Sequence, residues 1–299
     1  MSAIVHYTEC PVCKNSQINP LLTVTDNSVS RESFVIWQCA NCSLRFTQDA
    51  PDESSIERYY KSENYISHTN TDKGLINQLY KGVRRFTLEQ KGELVITTTG
   101  LNNGRILDVG CGIGAFINTM QGKGWTVKGL EPDSHARKLA KKLYHIDCEE
   151  PAQLFQLTPA SFNAITLWHV LEHVHELHGY MEQLKNLLAC NGRLFIAVPN
   201  YTSLDADLYG SNWAAYDVPR HLYHFTPKAM NALVEQHGMK VISKKPMWFD
   251  SFYVSMLSSK YRNGRTSYIF SAINGLRSNL KALRDTDSCS SLIYIISKA

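Results

Sequence analysis

The stretch "ILDVGCGIGAF", Ile106 to Phe116, runs an apolar segment into a glycine-rich turn and sets a carboxylate, Asp108, two residues before the first glycine. That order is how a strand feeds a loop whose bare backbone can approach a ligand. Gly110, Gly112 and Ala115 also satisfy the G-x-G-x-x-A form of the dinucleotide fingerprint. A pyrophosphate there would lie close to Asp108, like charge against like charge. The loop therefore suits a ligand that carries positive charge at this end. Further on, "LEPD" supplies Glu131 and Pro132 at the end of the next strand, where a carboxylate can accept both hydroxyls of a ribose.

A second group is built from sulfur. "CPVC" and "CANC" place Cys10, Cys13, Cys39 and Cys42 as two thiolate hooks on either side of a segment with strand character, "FVIWQC". Each hook brings two sulfurs to one ion without straining the chain, which is the chemistry of a structural zinc site with four cysteine ligands. The alternative is four reduced, metal-free thiols. A redox C-x-x-C would open a helix inside a βαβ unit, and neither hook does. Cys111, Cys148, Cys190 and Cys289 are isolated, and the chain has neither an apolar run of membrane-spanning length nor the layout of a signal peptide. These cysteines read as reduced thiols of a cytoplasmic protein.

Histidines form the third group. "WHVLEHVHELH" contains His169, Glu172, His173, His175 and His178, and "DVPRHLYHFT" contains Arg220, His221, Tyr223 and His224. An imidazole that titrates near neutrality can take a proton from an oxygen or carbon nucleophile. His169-x-x-Glu172-His173 matches an inverse zinc-protease motif, but it straddles a strand end where that chemistry needs a helix.

The elements that must hold these groups alternate. Strand character at "RILDVGC", "TVKGLEP", near Ile146, "FNAITLWHV", "RLFIAVPN", "KVISKKPMW" and "SLIYIISKA" is interleaved with helical segments, which predicts a mostly parallel α/β sheet of seven strands with helices on both faces. Ligands in such sheets sit at the carboxyl ends of the strands. Residues 1–48 read as a zinc-ribbon-like module, 49–103 as a helical lead-in, and 104–299 as the main domain, with an insertion at about 250–288 folding over the sheet as a cap.

"LDVGCGIG", then "LEPD", then "LWHVLEHV", in this order between Gly104 and Gly238, resemble the motifs of class I S-adenosylmethionine-dependent methyltransferases. The resemblance implies a Rossmann-like sheet whose last strand is antiparallel, and a sulfonium cofactor. Asp108 would take the amino-acid end, Gly110, Cys111 and Gly112 would offer backbone, Glu131 and Pro132 would meet the ribose, and Trp168 and His169 would face the methyl group. It also implies a proton acceptor among His169, His221 and His224. The zinc-bearing relatives, the sugar C-methyltransferases, carry substrate-binding tyrosines and histidines before the first strand and after the fifth. Tyr65 and His68, with Arg220 and Tyr223, match those locations. The expected acceptor is a small, anionic biosynthetic intermediate such as a nucleotide-linked sugar. RNA methylation through the zinc module, and a non-catalytic binding protein on the same scaffold, are the alternatives. A net charge of only +4, from 31 basic and 27 acidic side chains, argues against a nucleic-acid partner.

Between Phe252 and Arg284 lie Lys260, Arg262, Arg265, Arg277, Lys281 and Arg284 and no acidic residue. Ile269, Ile273, Leu276, Leu280 and Leu283 recur at helical spacing among them. The preferred reading packs this apolar stripe on the domain and solvates the charges. Peripheral contact with a membrane is the alternative.

Overall fold

The structure is a computed structural model that describes residues 3–60 and 75–299. Its N-terminal part begins with β1 (Ile4–Val5), followed by the antiparallel strands β2 (Ile18–Thr25), β3 (Ser33–Cys39) and β4 (Arg45–Thr47), and β5 (Ala50–Pro51) returns to pair with β1. A 25-residue helix, α1 (Leu75–Thr99), leads into the main sheet.

That sheet is laid down by β6 (Arg105–Val109), α2 (Ala115–Gly122), β7 (Thr126–Leu130), α3 (Ser134–Tyr144), β8 (Phe162–Trp168), α4 (Leu177–Leu187) and β9 (Leu188–Pro199). Then come α5 (Leu204–Tyr209), the two-residue β10 (Tyr223–His224), α6 (Pro227–Gln236) and β11 (Met239–Pro246). The insertion is a helical hairpin, α7 (Asp250–Asn263) and α8 (Tyr268–Arg284), before the closing strand β12 (Ser291–Lys298). The spatial order is β11-β12-β9-β8-β6-β7, with β6 to β9 parallel and β12 antiparallel to both neighbours.

Six strands stand where seven were expected. The short strand near Ile146 is reduced to a single bridge between Leu130 and Glu149, because only that residue pair meets the edge of β7. Local signals explain the rest. Buried on both faces, β6 and β8 are near-continuous apolar runs. Asp133 caps α3 by accepting the His135 N–H at 2.9 Å, and Thr226 caps α6, with Pro227 in its first turn.

From β6 the chain winds to β7 on one side and to β8 and β9 on the other, so the order reverses at the carboxyl end of β6. Crevices form at such points. The N-terminal module has joined the domain: β10 pairs with β4, making a four-stranded sheet, and Val12, Leu44 and Phe46 lie in one apolar cluster with Leu107 and Leu167.

Candidate active site

At the end of β6 the loop turns through three glycines of positive φ, Gly110 (+73°), Gly112 (+55°) and Gly114 (+79°). The N–H groups of Gly110 and Cys111 both donate to the Leu130 carbonyl, at 2.7 and 3.0 Å, which ties the loop to the end of β7. A Cβ at Gly110 would come within 2.4 Å of Val170 Cγ2, whereas one at Gly112 would meet nothing within 4 Å. The loop thus packs through Gly110 and leaves its backbone open at Gly112. There Glu131 closes the crevice: its Oε2 accepts the Gly112 N–H at 2.8 Å and its Oε1 the Asp133 N–H at 3.0 Å.

Asp108 lies buried beneath this loop and accepts a hydrogen bond from Thr166 Oγ1 at 2.6 Å. Burial pushes its carboxyl up to about 7, against the pull of Thr166 and Lys91. Lys91 comes from α1, and its ammonium stands 4.3 Å from the centroid of the Trp168 ring, within the fields of Asp250 and Asp108. Burial lowers its pKa while the two carboxylates oppose the shift. Phe116 meets Trp168 edge-on, centroids 5.3 Å apart. Two carboxylates and an aromatic face are what attract a cation, and the residues present fit a sulfonium cofactor with a ribose and an ammonium end. Thr166, Lys91 and Asp250 have no motif to announce them. Only the meeting of α1, β8 and α7 makes them part of the site.

His169 sits just past β8 at a φ of +58°, a strained conformation for a non-glycine residue. Its Nδ1 is 3.3 Å from Glu172 Oε1 and its Nε2 3.0 Å from Asp250 Oδ2. Burial works against its charge, but the two carboxylates hold the proton up to about pH 10. With both ring nitrogens donating, His169 has no lone pair with which to take a proton, and the base role expected of it does not fit this geometry. It joins the end of β8 to the first residue of α7.

His173 and His221 meet edge to face, with ring centroids 4.6 Å apart. His173 Nδ1 lies 3.0 Å from the Arg220 carbonyl, and His221 Nδ1 lies 2.8 Å from the Ala215 carbonyl. His173 Nδ1 also lies 3.0 Å from the Tyr60 hydroxyl; a carbonyl only accepts, so in His221 it is Nδ1 that carries the hydrogen and Nε2 keeps a lone pair when neutral. Burial and the neighbouring His221 lower His173 to about 4. Beside them Glu172 is fully buried, and among the described residues its Oε2 has no hydrogen-bond partner. One ligand atom from each of Glu172, His173 and His221 lies within 4.8 Å of the others, close enough to share a proton or to hold a divalent ion.

The remaining loop residues went elsewhere. Arg220 is buried in an ion triad, 3.0 Å from Asp26 and 2.7 Å from Asp217, and donates to the Tyr59 carbonyl at 2.8 Å. Tyr223 is buried with its hydroxyl 3.1 Å from that of Tyr7, and His224 packs edge-on against Tyr216 with Nε2 near Thr47. Burial drives the pKa of His224 well down. The expected substrate roles of Arg220 and Tyr223 and the catalytic role of His224 give way to architecture, because the ion triad holds Arg220 and the pairing of β10 with β4 buries Tyr223 and His224. Tyr65 and His68 lie outside the described residues.

The cysteine hooks are near copies of each other. Lys14 N–H donates to the Cys10 carbonyl at 3.0 Å and Ser43 N–H to the Cys39 carbonyl at 3.2 Å, and Lys14 and Ser43 both have positive φ. Cys10 and Cys42 sulfurs are 3.5 Å apart, as are those of Cys13 and Cys39, and all four lie within 4.8 Å of one another. Zn–S bonds of about 2.3 Å in a tetrahedron require sulfurs roughly 3.8 Å apart, so the donor set fits zinc with small adjustments.

An acid-and-glycine loop at the switch point of a sheet closed by an antiparallel final strand defines the class I S-adenosylmethionine-dependent methyltransferase fold. The chain belongs to the methyltransferase-domain family, whose model, described as "Methyltransferase domain", matches residues 81–244. It is similar to a ubiquinone biosynthesis O-methyltransferase of Glaesserella parasuis, 32% identical over 117 residues that cover 36% of this chain and 50% of that protein. The human mitochondrial ubiquinone biosynthesis O-methyltransferase is 26% identical over 165 residues, 50% of this chain and 44% of that protein. The chain spans about half the length of these curated relatives. Among solved structures, a geranyl diphosphate methyltransferase in complex with SAM superposes with a TM-score of 0.52 at 14% identity, over 79% of this chain and 95% of that one. A putative sarcosine dimethylglycine methyltransferase from Galdieria sulphuraria gives 0.50 at 13% identity, over 70% and 86%. At these identities the likeness is one of fold.

Proposed function

We propose that the chain transfers the methyl group of S-adenosylmethionine to a small, anionic biosynthetic intermediate, of which a nucleotide-linked sugar is one example, with Zn2+ held structurally by Cys10, Cys13, Cys39 and Cys42. The observation that carries this reading is the pairing of buried Asp108 with Glu131, whose carboxylate already faces the open Gly112 backbone. When bound, the cofactor supplies an electrophilic methyl. Asp108 and Glu131 hold and orient its charged and ribose ends, which supports the in-line alignment that displacement needs. His221 is the proton acceptor: its Nδ1 is engaged with the Ala215 carbonyl, which leaves Nε2 the accepting nitrogen, and Glu172 stabilises the imidazolium that results. The relatives named as O-methyltransferases make a hydroxyl the first acceptor atom to assay.

A panel of hydroxylated intermediates, incubated with methyl-labelled cofactor, tests the reading. Labelled product with at least one acceptor, lost in His221→Ala, supports it; cofactor binding without transfer to any acceptor favours the non-catalytic scaffold. A second reading is favoured by Glu172 Oε2, unpartnered among the described residues: Glu172, His173 and His221 would hold a divalent cation that polarises the acceptor. Activity abolished by chelation and restored by Mg2+ or Zn2+ would select it.

A further inference from the structure

Helix α8 is packed inside out. Its buried side carries Ser271, Asn274, Gly275 and Ser278. Ser271 Oγ donates to the Ser255 carbonyl at 3.1 Å, Asn274 Nδ2 to the Tyr209 hydroxyl at 3.2 Å, and Ser278 Oγ to Asp205 Oδ1 at 2.7 Å. A Cβ at Gly275 would fall 2.6 Å from the Phe252 ring, so only glycine allows α7 and α8 to approach this closely. These contacts fix the rotation of the helix about its axis. At 3.6 residues per turn the opposite side is Ile269, Ile273, Leu276, Leu280 and Leu283. Their exposures run from 49% at Ile273 to 79% at Ile269. The packing expected of this stripe is therefore reversed: the polar side faces the domain and the apolar side faces out.

We propose that α8 docks the chain on the surface of an anionic membrane. An exposed apolar face of this extent marks an interaction site on a folded domain, and the charges beside it select the partner. Arg277, Lys281 and Arg284 flank the stripe along one edge, all exposed, and Phe252 to Arg284 carries six basic and no acidic side chains. Such a helix lies in the plane of the interface, with its apolar side at the acyl boundary and its cations among the phosphates. A second copy docked on the same face would set these cations against their own kind. Among the described residues no helix is long and apolar enough to cross a membrane, so the contact is peripheral. The inference is independent of the methyl-transfer reading.

Co-sedimentation of the full chain with vesicles tests it, using phosphatidylcholine alone and phosphatidylcholine mixed with phosphatidylglycerol. The chain should pellet with the mixed vesicles and remain in solution with the neutral ones. Leu276→Asp with Leu280→Asp, and separately Arg277→Glu with Lys281→Glu, should each lower the bound fraction about tenfold or more, with unchanged melting temperature because all four side chains are exposed. Equal behaviour with the two kinds of vesicle overturns the proposal. So does a dimer in sedimentation velocity that Leu276→Asp dissociates, which would make a second copy the occupant.

Discussion

Glu131 reaches back from the end of β7 to accept the Gly112 N–H at 2.8 Å, joining a carboxylate at one strand end to the glycine loop at the end of the neighbouring strand. With Oε1 on the Asp133 N–H as well, both oxygens of Glu131 are held in place. The floor of the crevice is acidic, its wall is aromatic, and the protein's own Lys91 is drawn to it.

With Asp108 as a cofactor ligand, as proposed, affinity should depend on pH. The Asp108 carboxyl is raised to about 7, chiefly by burial, and an ammonium group at the ligand's amino-acid end would favour the ionised form. Binding therefore releases a proton, so affinity for S-adenosylhomocysteine should rise with pH, by up to about tenfold per unit below pH 7, and level off above it. Asp108→Asn should bind about 10- to 100-fold more weakly above pH 7 and show a flat profile. Calorimetry across pH 5.5 to 8.5 reads both effects, at values of about one-half unit spacing.

Gly110 is constrained twice, by a φ of +73° and by Val170 at 2.4 Å from any added Cβ. Gly110→Ala should cost on the order of 2–4 kcal/mol of stability. Adding Val170→Ala removes the clash and leaves the backbone strain, so denaturant titration should show the double variant recovering only part of the loss.

Arg220 tests the loop's architectural role. Placed between Asp26 and Asp217, it offsets their burial and lowers both carboxyl pKa values. Carboxylates lowered in the folded state stabilise it above their unfolded pKa, and that stability is lost as pH falls through the folded values. Arg220→Met should cost about 3–5 kcal/mol near neutrality by leaving the buried Asp26 and the partly buried Asp217 without their partner. The gap between variant and wild type should narrow below about pH 4 in urea melts.

Elemental analysis should find close to one zinc per chain, and Cys39→Ser should abolish it. Because Val12, Leu44 and Phe46 share a cluster with the main sheet, chelation should lower the melting temperature of the single transition of the whole chain, where a free-standing module would melt separately.

How much of this was legible in the sequence follows from how local each signal is. Strands β6 to β8, the glycine turn and the cysteine hooks are short-range patterns, and they stand where the pattern placed them, whereas β9 begins at Leu188, five residues ahead of the segment expected for it. The periodicity of α8 was also plain, but a stripe states only that one side is apolar, and Gly275 against Phe252 decides which side turns inward. Arg220 read as a loop cation because its partner Asp26 is 194 residues away. Lys91 was silent for the same reason: its helix carries no motif, and its meaning comes from Trp168, to which the chain returns much later.

The most direct test of the acidic crevice is a pair of calorimetric titrations, S-adenosylhomocysteine and NAD, against the wild type and Glu131→Gln. Saturable binding of S-adenosylhomocysteine alone, weakened at least tenfold in the variant, is the predicted result. Binding of NAD in its place, or S-adenosylhomocysteine affinity indifferent to Glu131, would contradict the account.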